Sequence, residues 1–565
     1  MVQCPNCGGV LKFDIATQQM RCASCASLFN PYAFGMSGAE EETEYDVTVF
    51  RCPQCGGEIT STDETAAGFC SYCGSPNVLE SRVSREKRPQ YIIPFKKTKQ
   101  ECVNLFEKFI KKSVFAPKSY RQAGRADSFR GIYMPYWMYD MSQVGPVSIA
   151  TSKSHRSGDY IITDHYRMTG DMNNHYNGVS YDASSSFADD ISSQIAPYEV
   201  KDVTAFSPSF LSGYYADIAD VPAGIYDSAA KDIAKEGTYN YLRNYSPMKS
   251  QHFDDSKEKI KKRLNTKIDA THSAMLPVWF MSYRNRDRVA YATVNGQTGK
   301  VKADVPVSIP KYFLCAAVLA VGIFLILNMI FTVTPDILAV FVALLALISA
   351  LMYSAEMKKI VAKENYDDDE GMLSKIEEKR KARLAAQKNV SDERERLKEA
   401  YKNDLNGQRR AEKALSKEKK EQRKEKNVAV WIIGLVVFLM FAPGLLTGIV
   451  SVLFLGLNAP LICGVISAVL FIIAFFSVKK ARENISLMQA PKKFPASVFS
   501  MAAILVIVII SFWDPASDYI YYGTVILAMV GIIANIVDMI LSYNYIAMRP
   551  LPQFEMYKGG DDRGV

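Results

Sequence analysis

Eight of the first 73 residues are cysteines, and they fall into two quartets of identical spacing. Cys4, Cys7, Cys22 and Cys25 read C-x2-C-x14-C-x2-C, and Cys52, Cys55, Cys70 and Cys73 repeat that pattern 48 residues later. Two thiolates separated by two residues reach one ion across a tight turn, and a second such turn completes the tetrahedral sulfur shell that Zn2+ prefers. Pro5, Gly8 and Gly9 recur as Pro53, Gly56 and Gly57. Glycines after the second cysteine permit positive φ, which turns backbone amides toward the sulfurs. Disulfides are the competing reading. The start of the chain is polar and cysteine-rich and lacks the basic and apolar regions of a signal peptide, so a reducing compartment is expected, where metal wins over disulfides. The expectation is therefore two structural Zn2+ ions. Each is held by four cysteines, with no position left open for water. Cys102, Cys315 and Cys463 lie outside the quartets, two of them in apolar runs, and read as packing residues.

Other chemistry is poorly supported. Of five histidines, His155, His165 and His175 recur every ten residues without a nucleophile signature, and His252 and His272 stand apart. The stretch GQTGK at 296–300 lacks the Gly-x4-Gly-Lys-Ser/Thr order of a phosphate-binding loop. No catalytic residue is expected. Nucleic-acid binding needs a basic surface, yet residues 1–90 hold seven Lys/Arg against eleven Asp/Glu. Each Cys4 zinc centre adds about two further negative charges. Nucleic acid is thus an improbable partner, and the ribbons read as modules that bind protein or dock on the rest of the chain.

The elements that carry these residues follow from patterning. Zinc ribbons are expected at 1–35 and 48–80. A soluble α+β domain follows at 89–310, opened by the capping box Thr98–Glu101 with Val103, Phe106, Phe109 and Ile110 on one helical face. Its segments GIYMPYWMYD (131–140) and AMLPVWFMSY (274–283) share Pro-x-Trp, which predicts two related strands with Trp137 and Trp279 in the core. Residues 288–307 read as a hairpin turning at NGQTG.

Uncharged apolar runs then imply six membrane spans: a hairpin at 311–354, a pair at 428–478 broken at NAP (458–460), and a pair at 496–545. Between the first two pairs lies a charged helical cytoplasmic segment, 355–427, and a tail follows at 546–565. The short outer loops hold Asp336, Asp514 and Asp518 but no Lys or Arg, which predicts a multi-pass inner-membrane protein with both termini in the cytoplasm. Asp538 is the ionisable residue inside a span, where a functional or a headgroup-reaching role is open. The basic segment 354–427 is either a solvated helical hairpin or a surface for anionic lipid or an acidic partner.

The tandem ribbons, YIIPF (91–95), GIYMPYWMYD, LPVWFMSYRNRDRVAYATVNGQTGKV, and RPLPQF (549–554) with GGDD (559–562) resemble a bacterial group of membrane-anchored double-zinc-ribbon proteins. Members are often described as TFIIB-type zinc ribbon proteins or as PriA-like, although no Walker A or helicase motif occurs in this sequence. Some similar proteins are associated with SPFH-domain and phage-shock membrane-stress systems. The resemblance implies a membrane platform that recruits cytoplasmic or membrane proteins, and it carries over only the eight cysteines. A non-catalytic scaffold or adaptor is the expectation. The alternatives are a membrane-tethered nucleic-acid factor and, third, a transporter or membrane enzyme.

Overall fold

The computed structural model describes residues 2–34, 44–53, 57–61, 70, 72, 80–122, 129–245, 248–249, 251–285, 288–330, 334–365, 367, 369–374, 459–488 and 494–550. Most of the charged segment 355–427, the first half of the span pair 428–478 and the end of the tail lie outside them. The chain is a multi-domain α+β protein with an N-terminal cysteine cluster, a mixed sheet domain and a set of long apolar helices.

The first ribbon is a small antiparallel sheet of β1 (Leu11–Asp14), β2 (Gln19–Cys22) and β3 (Leu28–Phe29), with Leu11 opposite Cys22 and Met20 opposite Phe29. Alternation sends Leu11, Phe13 and Met20 inward while Lys12 and Arg21 face out. That inner face is not self-contained. It belongs to one hydrophobic cluster with Phe95, Phe106, Tyr133, Phe210 and Trp279 of the following domain.

The second cysteine region supplies β4 (Glu44–Arg51), β5 (Glu58–Ser61) and β6 (Glu80–Lys87) to the main sheet itself. Next come β7 (Tyr91–Ile92) and α1 (Lys99–Lys112), whose Thr98–Glu101 capping box is formed on both sides and which buries Cys102, Val103, Phe106 and Ile110. A short α2 (Lys118–Gln122) precedes two very long strands, β8 (Phe129–Ser157) and β9 (Tyr160–Asp182), paired antiparallel along almost their whole length. The excursion that follows contains α3 (Asp189–Ile195), β10 (Thr204–Ala205), β11 (Tyr215–Ala216), α4 (Asp227–Asn244), β12 (His252–Phe253) and α5 (Lys257–Arg263).

The chain returns as β13 (Lys267–Asn285), β14 (Arg288–Asn295) and β15 (Val301–Ala303), and the last two form the hairpin expected at NGQTG. The two Pro-x-Trp segments are neighbours: β8 and β13 pair antiparallel, with Pro135 opposite Met275 and Pro277 opposite Tyr133. Trp279 is buried and donates to Lys97 O (2.8 Å). Trp137 is only half-buried and donates to Val221 O (2.7 Å).

Among the described residues, four helices are long and apolar enough to cross a membrane. They are α6 (Ile309–Ile330), α7 (Pro335–Glu364), α8 (Ala459–Ile485) and α10 (Asp518–Ala547), and a shorter apolar helix, α9 (Ser497–Trp513), joins them. Helices α7 to α10 pack together through Ala343, Ala346, Ala474, Ala503, Ile504 and Ala528. Gly531 lets α10 approach the α9 backbone so closely that a Cβ there would lie 2.9 Å from Ser500 Cα. After α10, β16 (Arg549–Pro550) adds to the edge of β14, with Val289 opposite Arg549. The sixth expected span falls within 428–457, outside the described residues.

Candidate metal centre

The first quartet converges. The sulfurs of Cys4, Cys7, Cys22 and Cys25 all lie within 4.8 Å of one another, with Cys4 and Cys25 3.6 Å apart and Cys7 and Cys22 3.5 Å apart. Zn–S bonds of ~2.3 Å put tetrahedral sulfurs about 3.8 Å from each other, so the four thiols fit one zinc ion. Among the described residues, no other group of three or more His, Cys, Asp or Glu ligands converges in this way.

The two knuckles are built alike. Gly8 N donates to Cys4 O (2.8 Å) and Ala26 N to Cys22 O (3.1 Å), while Cys4 N donates to Gly9 O (2.8 Å) and Cys22 N to Ser27 O (3.0 Å). Gly8 and Ala26 both adopt left-handed φ, +71° and +58°. Amides of Ser24 and Cys25 point at Cys22 Sγ from 3.4 and 3.5 Å, the support that stabilises a thiolate. Gly9 is required by space, because a Cβ there would lie 2.6 Å from Ser24 Oγ and 3.2 Å from Cys22 Sγ. The Ser27 hydroxyl and amide pull Cys25 down to about 6. At Cys7 the Gly9 amide lowers the pKa, but the Cys25 and Cys22 sulfurs outweigh it and push the thiol up to about 12. Four thiols this close cannot all ionise unaided, and a divalent cation resolves that conflict.

The second quartet is brought together only in part. Cys52 and Cys70 are buried in one core cluster with Phe50, Ile59, Ile132 and Phe280, whereas Cys55 and Cys73 lie outside the described residues. Cys52 N donates to Gly57 O (3.0 Å), the counterpart of Cys4 N to Gly9 O. Thr60 Oγ1 donates to Ala216 O (3.0 Å), fixing this region to β11.

Other polar groups make contacts within the fold. Ser152 Oγ donates to Asp254 (2.6 Å), whose other oxygen meets His165 Nδ1 (3.2 Å). A carboxylate sits between serine and histidine here, the wrong order for nucleophile activation. In the helical bundle, Asn535 donates to Ser349 and Ser500, both at 2.9 Å, and one turn further Tyr353 OH donates to Asp538 (2.6 Å). Sequence reasoning did not find the partners of Asp538, because they come from other helices.

Bonds also join the domain to the helices. Lys363 at the end of α7 reaches Asp190 (3.1 Å) and Asp304 (3.5 Å), and Asp189 accepts from Tyr226 OH (2.9 Å) and from the Glu370 amide (2.7 Å). Asn544 of α10 exchanges two bonds with the Val307 backbone, at 2.7 and 2.8 Å.

No family model matches the chain, and no solved structure matches it. The chain is similar to the Bacillus subtilis (strain 168) protein YdjG, described as uncharacterized. The two are 30% identical over 333 residues, which cover 96% of that protein and 58% of this chain.

Proposed function

The chain belongs to the family of the Bacillus subtilis protein YdjG, and we propose that it is a non-catalytic membrane scaffold that recruits protein partners. The observation that carries this reading is a series of contacts that links the parts. It runs from the cysteine cluster through Phe13 and Phe210 into the sheet, and from the sheet through Lys363 and Asn544 into two apolar helices. A linkage of this kind suits a platform that holds a recognition module at fixed height above a bilayer. The resemblance to double-zinc-ribbon proteins supports partners of the SPFH or phage-shock type, and the acidic ribbons disfavour nucleic acid.

Two zinc ions complete the proposal, the second on Cys52, Cys55, Cys70 and Cys73. The shared knuckle bond at Cys52 and the burial of Cys52 and Cys70 support it.

Six spans in an inner membrane, with both termini on the cytoplasmic side, complete the topology. Support comes from the direction of α7 and α8, which run parallel. Cys463 Sγ lies 4.0 Å from Asp336 at their first turns, and Asn365 Nδ2 bonds Leu487 O (3.2 Å) past their last. The connection from 375 to 458 must therefore recross the bilayer, and 428–457 is the apolar run able to do so.

The test is crosslinking and affinity capture of the full chain from membranes, comparing wild type with Cys22→Ser. Partners captured by wild type and lost in the variant, with membrane insertion unchanged, are expected. Salt-sensitive DNA or RNA binding that vanishes in Cys22→Ser would instead favour a tethered nucleic-acid factor.

A further inference from the structure

We infer that the loop 113–117 between α1 and α2, together with the flank of α6, forms a binding site for an anionic phospholipid of the leaflet nearest the soluble domain. None of the stretch Ile309–Ile326 is buried. Its large side chains are open on every face, Leu314 and Val318 on one and Leu319 and Ile323 on another, and a Cβ at Gly322 would meet nothing within 4 Å. Helix α6 thus stands clear of the α7–α10 bundle among the described residues. One further span of this chain would cover one of those faces, leaving acyl chains to cover the rest.

The root of α6 is different. Phe115 packs on Tyr312 with ring centroids 5.3 Å apart. Ser308 N donates to Phe115 O (2.8 Å), and Lys311 Nζ donates to Ala116 O (2.6 Å). These contacts fix the loop within one helical turn of the point where the uncharged run begins, the depth at which tyrosines prefer to sit. Val114 on the same loop is 56% exposed although the interior beside it is well packed. Lys111, Lys112 and Lys118 flank it and are exposed.

Among the described residues, no ion pair joins Lys111, Lys112 or Lys118 to an acid. Glu107 lies one turn back on α1, and Asp304 is engaged by Lys363. Cations beside an exposed apolar tip, at the level of an interfacial aromatic pair, match a phosphate headgroup with its chains running down α6.

The test is native mass spectrometry of the full chain in detergent, titrated with phosphatidylglycerol and with phosphatidylcholine of the same chains. Wild type should retain phosphatidylglycerol preferentially, and Lys111→Gln/Lys112→Gln/Lys118→Gln should weaken that retention about tenfold while leaving phosphatidylcholine unchanged. Soluble glycerol 3-phosphate should not displace the lipid. Equal retention of both lipids by wild type, an unchanged preference in the triple variant, or displacement by glycerol 3-phosphate would overturn the inference.

Discussion

Phe13 of the first ribbon meets Phe210 of the sheet domain edge-on, with ring centroids 5.1 Å apart and planes 60° apart. The contact is sealed by Phe13 N donating to Ser212 O (3.1 Å) and Ser212 Oγ donating to Leu11 O (2.6 Å). A metal ion held by the four cysteines would order the ribbon and thereby support the domain beneath it. In Cys22→Ser the full chain should lose the zinc of this site, and the amides of 11–14 and 204–214 should exchange faster together. Phe210→Ala, which empties the same contact, should cost about 3–5 kcal/mol while retaining the metal. Zinc loss that leaves exchange at 204–214 untouched would show the ribbon to be an independent appendage.

Ala26, left-handed in the second knuckle, and Gly9, crowded in the first, make opposite predictions. Ala26 holds φ of +58°, so Ala26→Gly should raise stability by about 1 kcal/mol with zinc unchanged. Gly9→Ala should weaken zinc retention, because its Cβ collides with Ser24 and Cys22. Chelator competition on both variants measures the difference, and equal zinc affinity in the two would contradict the geometry.

The cysteine spacing was legible because a metal site built from two tight turns is almost wholly local. The capping box of α1 and the 288–307 hairpin were readable for the same reason. The long β8–β9 hairpin was not. Gly145 and Gly178, at φ +132° and +71°, sit inside strands of 29 and 23 residues, where glycine is no strand signal. Residues 153–163 are exposed on both faces, so no alternation marks them as strand. The Pro-x-Trp segments could be recognised as related, but their antiparallel pairing depends on register across more than a hundred residues. Likewise, apolar runs reveal spans but not which spans are neighbours, so the Asn535 and Asp538 contacts stayed hidden.

Acid–base behaviour should report on the second ribbon's seat. Asp217 is buried beside β11 and accepts from Ser184 Oγ and the Ile218 amide, and burial raises its carboxyl to about 6. A carboxyl whose pKa is higher folded than unfolded favours the folded state at low pH. Its contribution is full below about 3.9 and is lost as pH rises through about 6, amounting to about 3 kcal/mol. Burial raises Asp182 as well, adding a loss of the same sign. Asp217→Asn should therefore gain on wild type in unfolding experiments between pH 4 and 7, and parallel curves for the two would refute the burial argument.

Parallel α7 and α8 can be trapped directly. Asp336→Cys should form a disulfide with the native Cys463 on mild oxidation, because the atoms concerned are 4.0 Å apart. With a protease site inserted near 400, the cut halves should stay joined on a non-reducing gel and separate on reduction. Halves that part without reductant would argue against the parallel pair, and with it against a crossing at 428–457.

The strand Arg549–Pro550 carries a consequence for how the molecule is made. It closes on Val289 of the central sheet, and Asn544 just before it clasps Val307, so the sheet domain keeps an unpaired edge until residues 549–550 have been made. Such edges invite pairing with the wrong strand. The soluble domain must therefore wait, incomplete, through the insertion of every later helix. A nascent chain stalled before 549 would be the species most in need of a chaperone.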